Sequence, residues 1–362
     1  MPSLNKKSEK FLYEYLNNAS PTGFEASGQK LWLKYLKPYV DEWHLDNYGT
    51  AYGVINPGKK YKVVIEAHAD EISWFVNHIS DKGFIRVIRN GGSDHVIAPS
   101  KRVNIHTKKG IVKGLFGWPA IHTRKGKGAN LSPTLENIFI DVGAATKEEV
   151  LKMGIHVGCV ITYEDELIEV NKKFYAGRAL DNKMGGFCIA EVARLLKENK
   201  KKLPYSLYIV NAVQEEIGLR GAQMVANTIK PDVAIVTDVC HDTSTPLVDA
   251  KKQGDTQCGL GPSLTYGPAV HNNLLDLIIK TGEKKKIPFQ RSASSRTTGT
   301  DTDAFAYSNG GVPSVLISLP LRYMHTTVEM AAKSDVQNVI KLMYESLLVI
   351  KSGHNFKYFN KL

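Results

Sequence analysis

Buried strands alternate with amphipathic helices along most of the chain. Near-continuous apolar runs predict strands at 61–67, 205–213, 233–237 and 313–319. Apolar positions at helical spacing predict helices at 4–18, 25–36, 184–198, 219–229, 272–285 and 334–351. Because such alternation is typical of a sheet covered by helices, the pattern predicts an α/β fold, with a mixed sheet in an α/β/α domain.

The pattern changes between residues 72 and 163. Short strands separated by glycine-containing turns dominate this stretch, and one short helix at 147–153 interrupts them. Regular short strands with such turns predict a small β-barrel or sandwich. Because strand–helix alternation resumes afterwards, we interpret 72–163 as a β-rich domain inserted into a discontinuous α/β domain of residues 1–71 and 164–362. A chain of 362 residues is long enough for two cores.

Turn-forming residues predict the smaller elements. A hairpin is predicted at 41–55, an edge strand begins at 287–290, and residues 298–304 are expected to open a short helix. Three polar or Gly- and Pro-containing segments are predicted to be loops: 120–135, 241–271 and 291–298. We expect 120–135 to be mobile and 241–271 to border the functional site.

The formal net charge is +11, which would suit nucleic acid or an anionic surface. The lysines are scattered, however, and the densest runs, 200–202 and 284–286, lie at predicted helix ends, where cations are favoured. Without a nucleic-acid-binding motif or a membrane-length apolar run, we expect neither kind of partner. The N-terminus lacks an apolar signal core and the four cysteines show no CxxC spacing, which predicts a cytoplasmic location with reduced thiols.

Five residues that can bind metal follow predicted strands or open a helix: His68, Asp181, Glu216, Asp238 and His325. Each has an ordinary explanation by itself, as a packed histidine, a helix cap, a turn residue or an acid at a helix start. All five fall where an open α/β sheet places its ligand sites. Two histidines and three carboxylates can bind two divalent ions if one carboxylate bridges them, and Asp181 is the candidate bridge.

Two further acids have candidate roles beside these ligands. Glu215 precedes Glu216, and neighbouring side chains on extended backbone point to opposite sides, so Glu215 is free to be the general base. Asp70, two residues after His68, has the spacing of a carboxylate that orients a metal-binding histidine. All donors are N or O atoms, which fits two zinc or cobalt ions per chain, with manganese as an alternative.

The motifs around these residues resemble those of one peptidase family. They are HADE at 68–71, ALDNKMGG at 179–186, VQEEIGLRGA at 213–222, TD at 237–238, GTDTDA at 299–304 and PLRYMHTTVEM at 320–330. Together and in this order they are similar to the M42 metallo-aminopeptidases. That family includes glutamyl, deblocking and tetrahedral (TET) aminopeptidases, and some members carry the label endoglucanase M. The resemblance covers essentially the whole chain, including the β-rich insert.

The resemblance implies a catalytic domain of the zinc-peptidase type and a division of the ligands. The metal ligands are expected in two pairs joined by Asp181, namely His68 with Asp238 and Glu216 with His325. The reaction would be the removal of N-terminal residues from peptides, with a metal-bridging hydroxide as nucleophile and Glu215 as the base.

The resemblance also implies features outside the metal centre. Asp301 would lie near the substrate. The insert would be a small β-barrel-like dimerisation domain, and dimers could build a twelve-subunit tetrahedral shell. Two departures from the family pattern stand out. Asn182 follows the bridging residue where many members have a second acid, and 240–261 differs from the common version, with Cys240 and His241 interpreted as lining residues.

Three other functions stay open at this point. A metal-dependent deacylase or carboxypeptidase could use the same site, and Arg291, Arg296 and Arg322 are candidates to bind a C-terminal carboxylate. A glycosidase typically needs two carboxylates and no metal, which would leave the histidines unexplained. A non-enzymatic shell protein would have no need of the full ligand set together with Glu215.

Overall fold

The computed structural model describes residues 4–124 and 131–359, in which helices and strands surround a central sheet and a barrel. The helices are α1 (Lys6–Asn17), α2 (Ala26–Leu36), α3 (Lys147–Lys152), α4 (Leu180–Glu198), α5 (Arg220–Ile229), α6 (Ala250–Gln253), α7 (Asn272–Lys284), α8 (Asp301–Ala306) and α9 (Lys333–Val349). The strands are β1 (Glu42–Leu45), β2 (Ala51–Ile55), β3 (Lys62–His68), β4 (Ser73–Ile79), β5 (Ile85–Asn90), β6 (Arg102–Thr107), β7 (Gly110–Gly117), β8 (Phe139–Asp141), β9 (Val160–Tyr163), β10 (Ile168–Val170), β11 (Phe174–Gly177), β12 (Ser206–Ala212), β13 (Val233–His241), β14 (Ser263–Tyr266), β15 (Gln290–Ala293), β16 (Ser314–Leu321) and β17 (Glu329–Ala332).

The central sheet has eight strands in the order β1-β2-β12-β3-β13-β16-β14-β15. Its four middle strands, β12, β3, β13 and β16, run parallel. Strand β2 of the hairpin β1-β2 pairs antiparallel with β12, and β14 pairs antiparallel with β16, so the predicted mixed sheet is confirmed. Because the middle strands share one direction, their carboxyl ends meet at one edge and can bring distant residues together.

Helices cover both faces of this sheet. Helix α4 packs on β3 and β13 and contacts α1, α2 and α9, whereas α8 packs on the same two strands and contacts α5. Every residue of β3 after Lys62 is buried, which explains why its sequence is almost continuously apolar. The predicted α/β/α arrangement is therefore confirmed. Within the described ranges, no helix is long and apolar enough to cross a membrane.

The stretch 72–163 contains a closed barrel of order β4-β5-β8-β7-β6-β9, the first of the two architectures predicted for it. The barrel has its own core, in which Trp74 packs edge-to-face on Phe116 among aliphatic side chains. Two separate cores agree with an inserted domain, whose boundaries stay predictions. Part of the segment predicted to be a mobile loop, 125–130, lies outside the described residues.

Several predictions for the second half of the chain are wrong. The strand predicted at 233–237 continues to His241, because β13 pairs with β16 as far as His241 opposite Leu321. The predicted loop 241–271 contains α6 and β14, and the predicted loop 291–298 begins inside β15. The small sheet β10-β11-β17 was not predicted. The end of β13, strand β14, strand β15 and the β11-β17 pair all depend on partners distant in sequence, so the local pattern does not reveal them.

Candidate metal centre

The predicted site residues converge at the carboxyl edge of the central strands. His68 is the last residue of β3 and pairs with Ala212, the last residue of β12. Asp238 lies inside β13, which neighbours β3, and not beyond its end as predicted. His325 follows β16 in a turn, with left-handed backbone at φ 62°. Parallel strand ends thus bring together residues from four separate parts of the chain.

The carboxylates of Glu215 and Glu216 diverge for a different reason from the predicted one. Strand β12 ends before them, and Glu215–Ile217 form one turn of 3-10 helix. Gln214 before the turn and Gly218 after it have left-handed backbone, at φ 58° and 113°. The backbone is therefore turned, not extended, and it directs Glu216 toward His325 and Glu215 toward His68.

Asp181 lies in the first turn of α4, but its backbone is not helical, at φ −79° and ψ 109°. Its carboxylate faces two histidines, with Oδ1 3.1 Å from His68 Nε2 and Oδ2 3.3 Å from His325 Nε2. The side chain therefore points into the site and does not cap the helix. This is the orientation required of a carboxylate that bridges two ions.

Two groups of potential ligands share Asp181. In the first, Asp238 Oδ1 is 3.7 Å from His68 Nε2, and in the second, Glu216 Oε2 is 3.5 Å from His325 Nε2. Within each group, one ligand atom of each residue lies within 4.8 Å of the others. Such spacing is compatible with donors arranged around one ion at about 2 Å from each. All five predicted ligands are therefore brought together, in the pairs that were expected.

Burial dominates the electrostatics of this cluster. Burial raises the pKa of Glu215 to about 10, and together with the charge of Asp181 it raises the pKa of Glu216 well above its ordinary value. Burial also raises the pKa of Asp238. For Asp181, hydrogen bonds with the two histidines outweigh burial and lower the pKa. Glu216 Oε1 is buried without a hydrogen-bond partner, and a divalent ion at this position would give it one.

Asp70 contacts both His68 and the turn that bears Glu215 and Glu216. It is fully buried, and its Oδ1 lies 3.4 Å from His68 Nδ1 on the side away from the other ligands. The same carboxylate accepts hydrogen bonds from the backbone N–H groups of Glu215 at 3.0 Å and Glu216 at 3.3 Å, and from Thr22 Oγ1 at 2.9 Å. Asp70 therefore lies beside His68 Nδ1 and also holds the turn that bears the two glutamates, and its orienting role stays a prediction.

The cluster opens into a cavity of about 630 Å³. Much of the remaining lining consists of hydroxyl-bearing residues: Thr256, Thr265, Ser292, Thr297, Thr298 and Thr300. Asp303 adds a carboxylate, and the described lining includes neither Lys nor Arg. Cys240 and His241 line the cavity and belong to neither ligand group.

Asp301, expected near the substrate, is not among the residues that line this cavity. Its side chain is 1% exposed and lies near Glu66, which is fully buried on β3, and the carboxyl oxygens of both residues lack hydrogen-bond partners among the described residues. Burial raises the pKa of Glu66 to about 8, and burial together with the charge of Glu66 raises the pKa of Asp301. Two adjacent buried carboxyl groups are most stable when they share a proton. Asp303, two residues further on, reaches the cavity instead.

Two residues beside the ligands were not predicted. Glu329 is 2% exposed and contacts the backbone at Asp181 and His325. Gly92 follows β5 of the barrel, and a Cβ at this position would lie 2.4 Å from His325 Nδ1. Glu329 stands within the motif PLRYMHTTVEM, but nothing in the local pattern distinguishes it from an exposed acid. In the sequence, the adjacent glycines Gly91 and Gly92 were the signal that another segment approaches the backbone closely at this point.

Comparison with known proteins gives consistent matches. The M42 glutamyl aminopeptidase family model matches residues 49–342. The lysyl aminopeptidase of Pyrococcus furiosus is 33% identical over 325 residues, which cover 89% of this chain and 91% of that protein. The crystal structure of a TET aminopeptidase from the marine sediment archaeon Thaumarchaeota archaeon SCGC AB-539-E09 has a TM-score of 0.91 and 28% identity, over 96% of this chain and 98% of that chain.

A second solved structure supports the fold alone. The TET1 peptidase of Pyrococcus horikoshii, which can assemble into a tetrahedron or a large octahedral shell, has a TM-score of 0.83 at 24% identity, over 95% of this chain and all of that chain. The family match spans the segments that bear all five potential ligands. The chain therefore belongs to the M42 glutamyl aminopeptidase family and is a peptide hydrolase of the aminopeptidase type.

Proposed function

We propose that the chain is a dinuclear metal-dependent aminopeptidase that removes N-terminal residues from peptides. The observation that carries this proposal is the position of Asp181, whose two oxygens face different histidines at 3.1 and 3.3 Å. Each histidine has a second carboxylate of its own, Asp238 for His68 and Glu216 for His325. The arrangement supplies donors for two ions that share one bridge.

The donor set suits zinc or cobalt, with manganese as the alternative, because it consists of imidazole nitrogen and carboxylate oxygen and contains no thiolate. Such ions, when bound, polarise a carbonyl oxygen and lower the pKa of water. The chain itself holds the ligands in position. Asp70 fixes the ring of His68 from one side and the Glu215-Glu216 turn from the other.

Glu215 is the proposed general base. Its carboxylate lines the cavity, lies 3.9 Å from His68 Nε2 and belongs to neither ligand group. Burial raises its pKa to about 10, and nearby cations would lower that pKa into the range in which a carboxylate accepts a proton near neutral pH. In this role Glu215 takes a proton from the attacking water and delivers it to the amine that leaves.

The test is hydrolysis of aminoacyl-p-nitroanilides by protein stripped of metal and then reloaded with zinc, cobalt or manganese. We expect a chelator to abolish the release of p-nitroaniline and at least one of these metals to restore it. The N-acetylated forms of the same substrates are the control, because an aminopeptidase requires a free amine. Protein that holds two metals and cleaves no free-amine substrate would contradict the proposal, and cleavage of blocked substrates alone would indicate another hydrolase.

The same panel tests the charge preference of the cavity. Since the described lining contains Asp303 and neither Lys nor Arg, no Lys or Arg side chain there would pair with the carboxylate of a substrate side chain. We therefore expect kcat/KM for glutamyl-p-nitroanilide to be about tenfold or more below that for glutaminyl-p-nitroanilide, a difference of ~1.4 kcal/mol or more. The two side chains match in size, so the ratio isolates the charge. A faster glutamyl substrate would contradict this expectation.

The inserted barrel of residues 72–163 is proposed to join copies of the chain. Strands β5 and β7, which flank β8, expose the large apolar side chains of Ile88, Ile111 and Leu115, at 47%, 58% and 49%. Clusters of exposed apolar side chains often mark protein interfaces, and only one strand separates the two strands that bear these residues. Light scattering after size-exclusion chromatography is expected to give the mass of two chains, or of twelve if dimers build a tetrahedral shell. A monomer at micromolar concentration would contradict the proposal.

A further inference from the structure

Glu329 is a buried acid that contacts two metal-ligand segments at once. It begins β17, where it pairs with Gly177 of β11, and its side chain is 2% exposed. Its Oε1 accepts a hydrogen bond from the backbone N–H of His325 at 2.8 Å, and its Oε2 accepts one from the backbone N–H of Asp181 at 3.1 Å. One carboxylate thus connects two residues that are far apart in sequence and adjacent in the proposed metal centre.

The backbone at both N–H groups departs from regular helix or strand geometry. Asp181 has non-helical backbone, and Ala179 before it has φ 59°. His325 has φ 62° in the turn after β16. Backbone of this kind is not held by a helix or sheet ladder, so its position depends on local contacts. In this site the Glu329 carboxylate is the acceptor that both segments share.

The two segments also belong to one ligand group. Asp181 and His325 form the second group together with Glu216. The first group contains Asp181 but not His325. A change in their relative position would therefore alter the second group more than the first. The ring of His325 is further confined, because Gly92 approaches it so closely that a Cβ would lie 2.4 Å from Nδ1.

We propose that Glu329 is a positioning residue that fixes the bridging Asp181 relative to His325 and so sets the metal affinity of the Asp181–Glu216–His325 group. This inference rests on the dinuclear site proposed above. Glu329 touches no substrate and transfers no proton in this role. Residues that position metal ligands through hydrogen bonds typically change metal affinity by about 10–100-fold when they are replaced.

The test is cobalt titration of metal-free wild type and Glu329→Gln, followed by visible absorption and calorimetry. Glutamine keeps the size of the side chain, but its amide can accept only one of the two hydrogen bonds and presents N–H groups to the other donor. We expect the wild type to bind two cobalt ions. In Glu329→Gln we expect one ion to bind normally and the other about 10–100-fold more weakly, with kcat approaching the wild-type value once cobalt is saturating.

The matched control is Asp335→Asn. Asp335 is another buried carboxylate that accepts two backbone hydrogen bonds, from Gly259 at 2.6 Å and Gly261 at 2.9 Å, but it contacts neither ligand group. We expect this variant to lose thermal stability and to keep both cobalt affinities. Comparable weakening of cobalt binding in both variants would show a general folding effect and overturn the inference.

Two other results would also overturn it. If Glu329→Gln bound both ions with wild-type affinity, the positioning role would be excluded. It would also be excluded if the activity of Glu329→Gln stayed low at saturating cobalt. These outcomes are distinct from failure of the proposed function, in which the wild type itself would bind no metal or show no metal-dependent hydrolysis.

Discussion

Glu215→Gln is expected to lower kcat by about 10²–10⁴-fold while the protein keeps both metal ions, because general acid–base catalysis contributes an acceleration of that order. The carboxylate belongs to neither ligand group, so its replacement by an uncharged group of the same size removes the proton acceptor and leaves the ligands in place. The measurements are steady-state hydrolysis of an aminoacyl-p-nitroanilide and metal content by mass spectrometry on the same sample.

The neighbouring variant Glu216→Gln is the matched control for this experiment. Glu216 belongs to the second ligand group, with Oε2 3.5 Å from His325 Nε2. We therefore expect it to lose metal from that group, and its remaining activity to depend on added metal. If Glu215→Gln lost metal and Glu216→Gln retained it, the roles assigned to these two residues would have to be exchanged. Near wild-type turnover in Glu215→Gln would exclude it as the base.

Asp181→Asn is expected to have the widest effect on the metal centre, because this residue alone belongs to both ligand groups. An amide offers one carbonyl oxygen where the carboxylate offers two oxygens, so it cannot bridge, and its N–H groups would face one of the histidines. We expect weaker binding of both ions and a loss of at least about 10³-fold in kcat/KM, or ~4 kcal/mol of transition-state stabilisation. Cobalt titration and p-nitroanilide hydrolysis give the two quantities.

The comparison variant for Asp181→Asn is Asp238→Asn. Asp238 belongs to the first group only. Its replacement is therefore expected to lower the affinity for one ion and to leave the affinity for the other unchanged. Thermal unfolding of both variants in the presence of a chelator separates metal loss from misfolding, since bound metal stabilises only the loaded protein. Two ions bound with wild-type affinity in Asp181→Asn would exclude a bridging role.

Much of the candidate site could be predicted because its residues stand next to strong local signals. His68 follows an apolar run that is buried on both faces in the structure, and Glu215 and Glu216 follow another. Residues after parallel strands meet at one edge of the sheet, so their proximity could be inferred before any contact was known. The same reasoning located Asp238 and His325, although β13 extends past Asp238 to His241.

Other features depended on contacts between distant segments. Strand β14 lies in a segment that reads as a loop, and its place in the sheet comes from pairing with β16 and β15. Glu215 and Glu216 diverge because of a 3-10 turn between residues with left-handed backbone, and Asp70 holds that turn through two backbone N–H groups. Asp301 is buried against Glu66, whereas Asp303 faces the cavity.

The sequence by itself determined the alternation of strands and helices, the β-rich insert and the identity of the five potential ligands, because periodicity and strand ends are local properties. Only the tertiary structure decided in which order the strands of the insert close the barrel, that the two oxygens of Asp181 face different histidines, and that Glu329 connects Asp181 to His325. These are relations between segments distant along the chain, and packing fixes them through hydrogen bonds and burial that no short stretch of sequence contains.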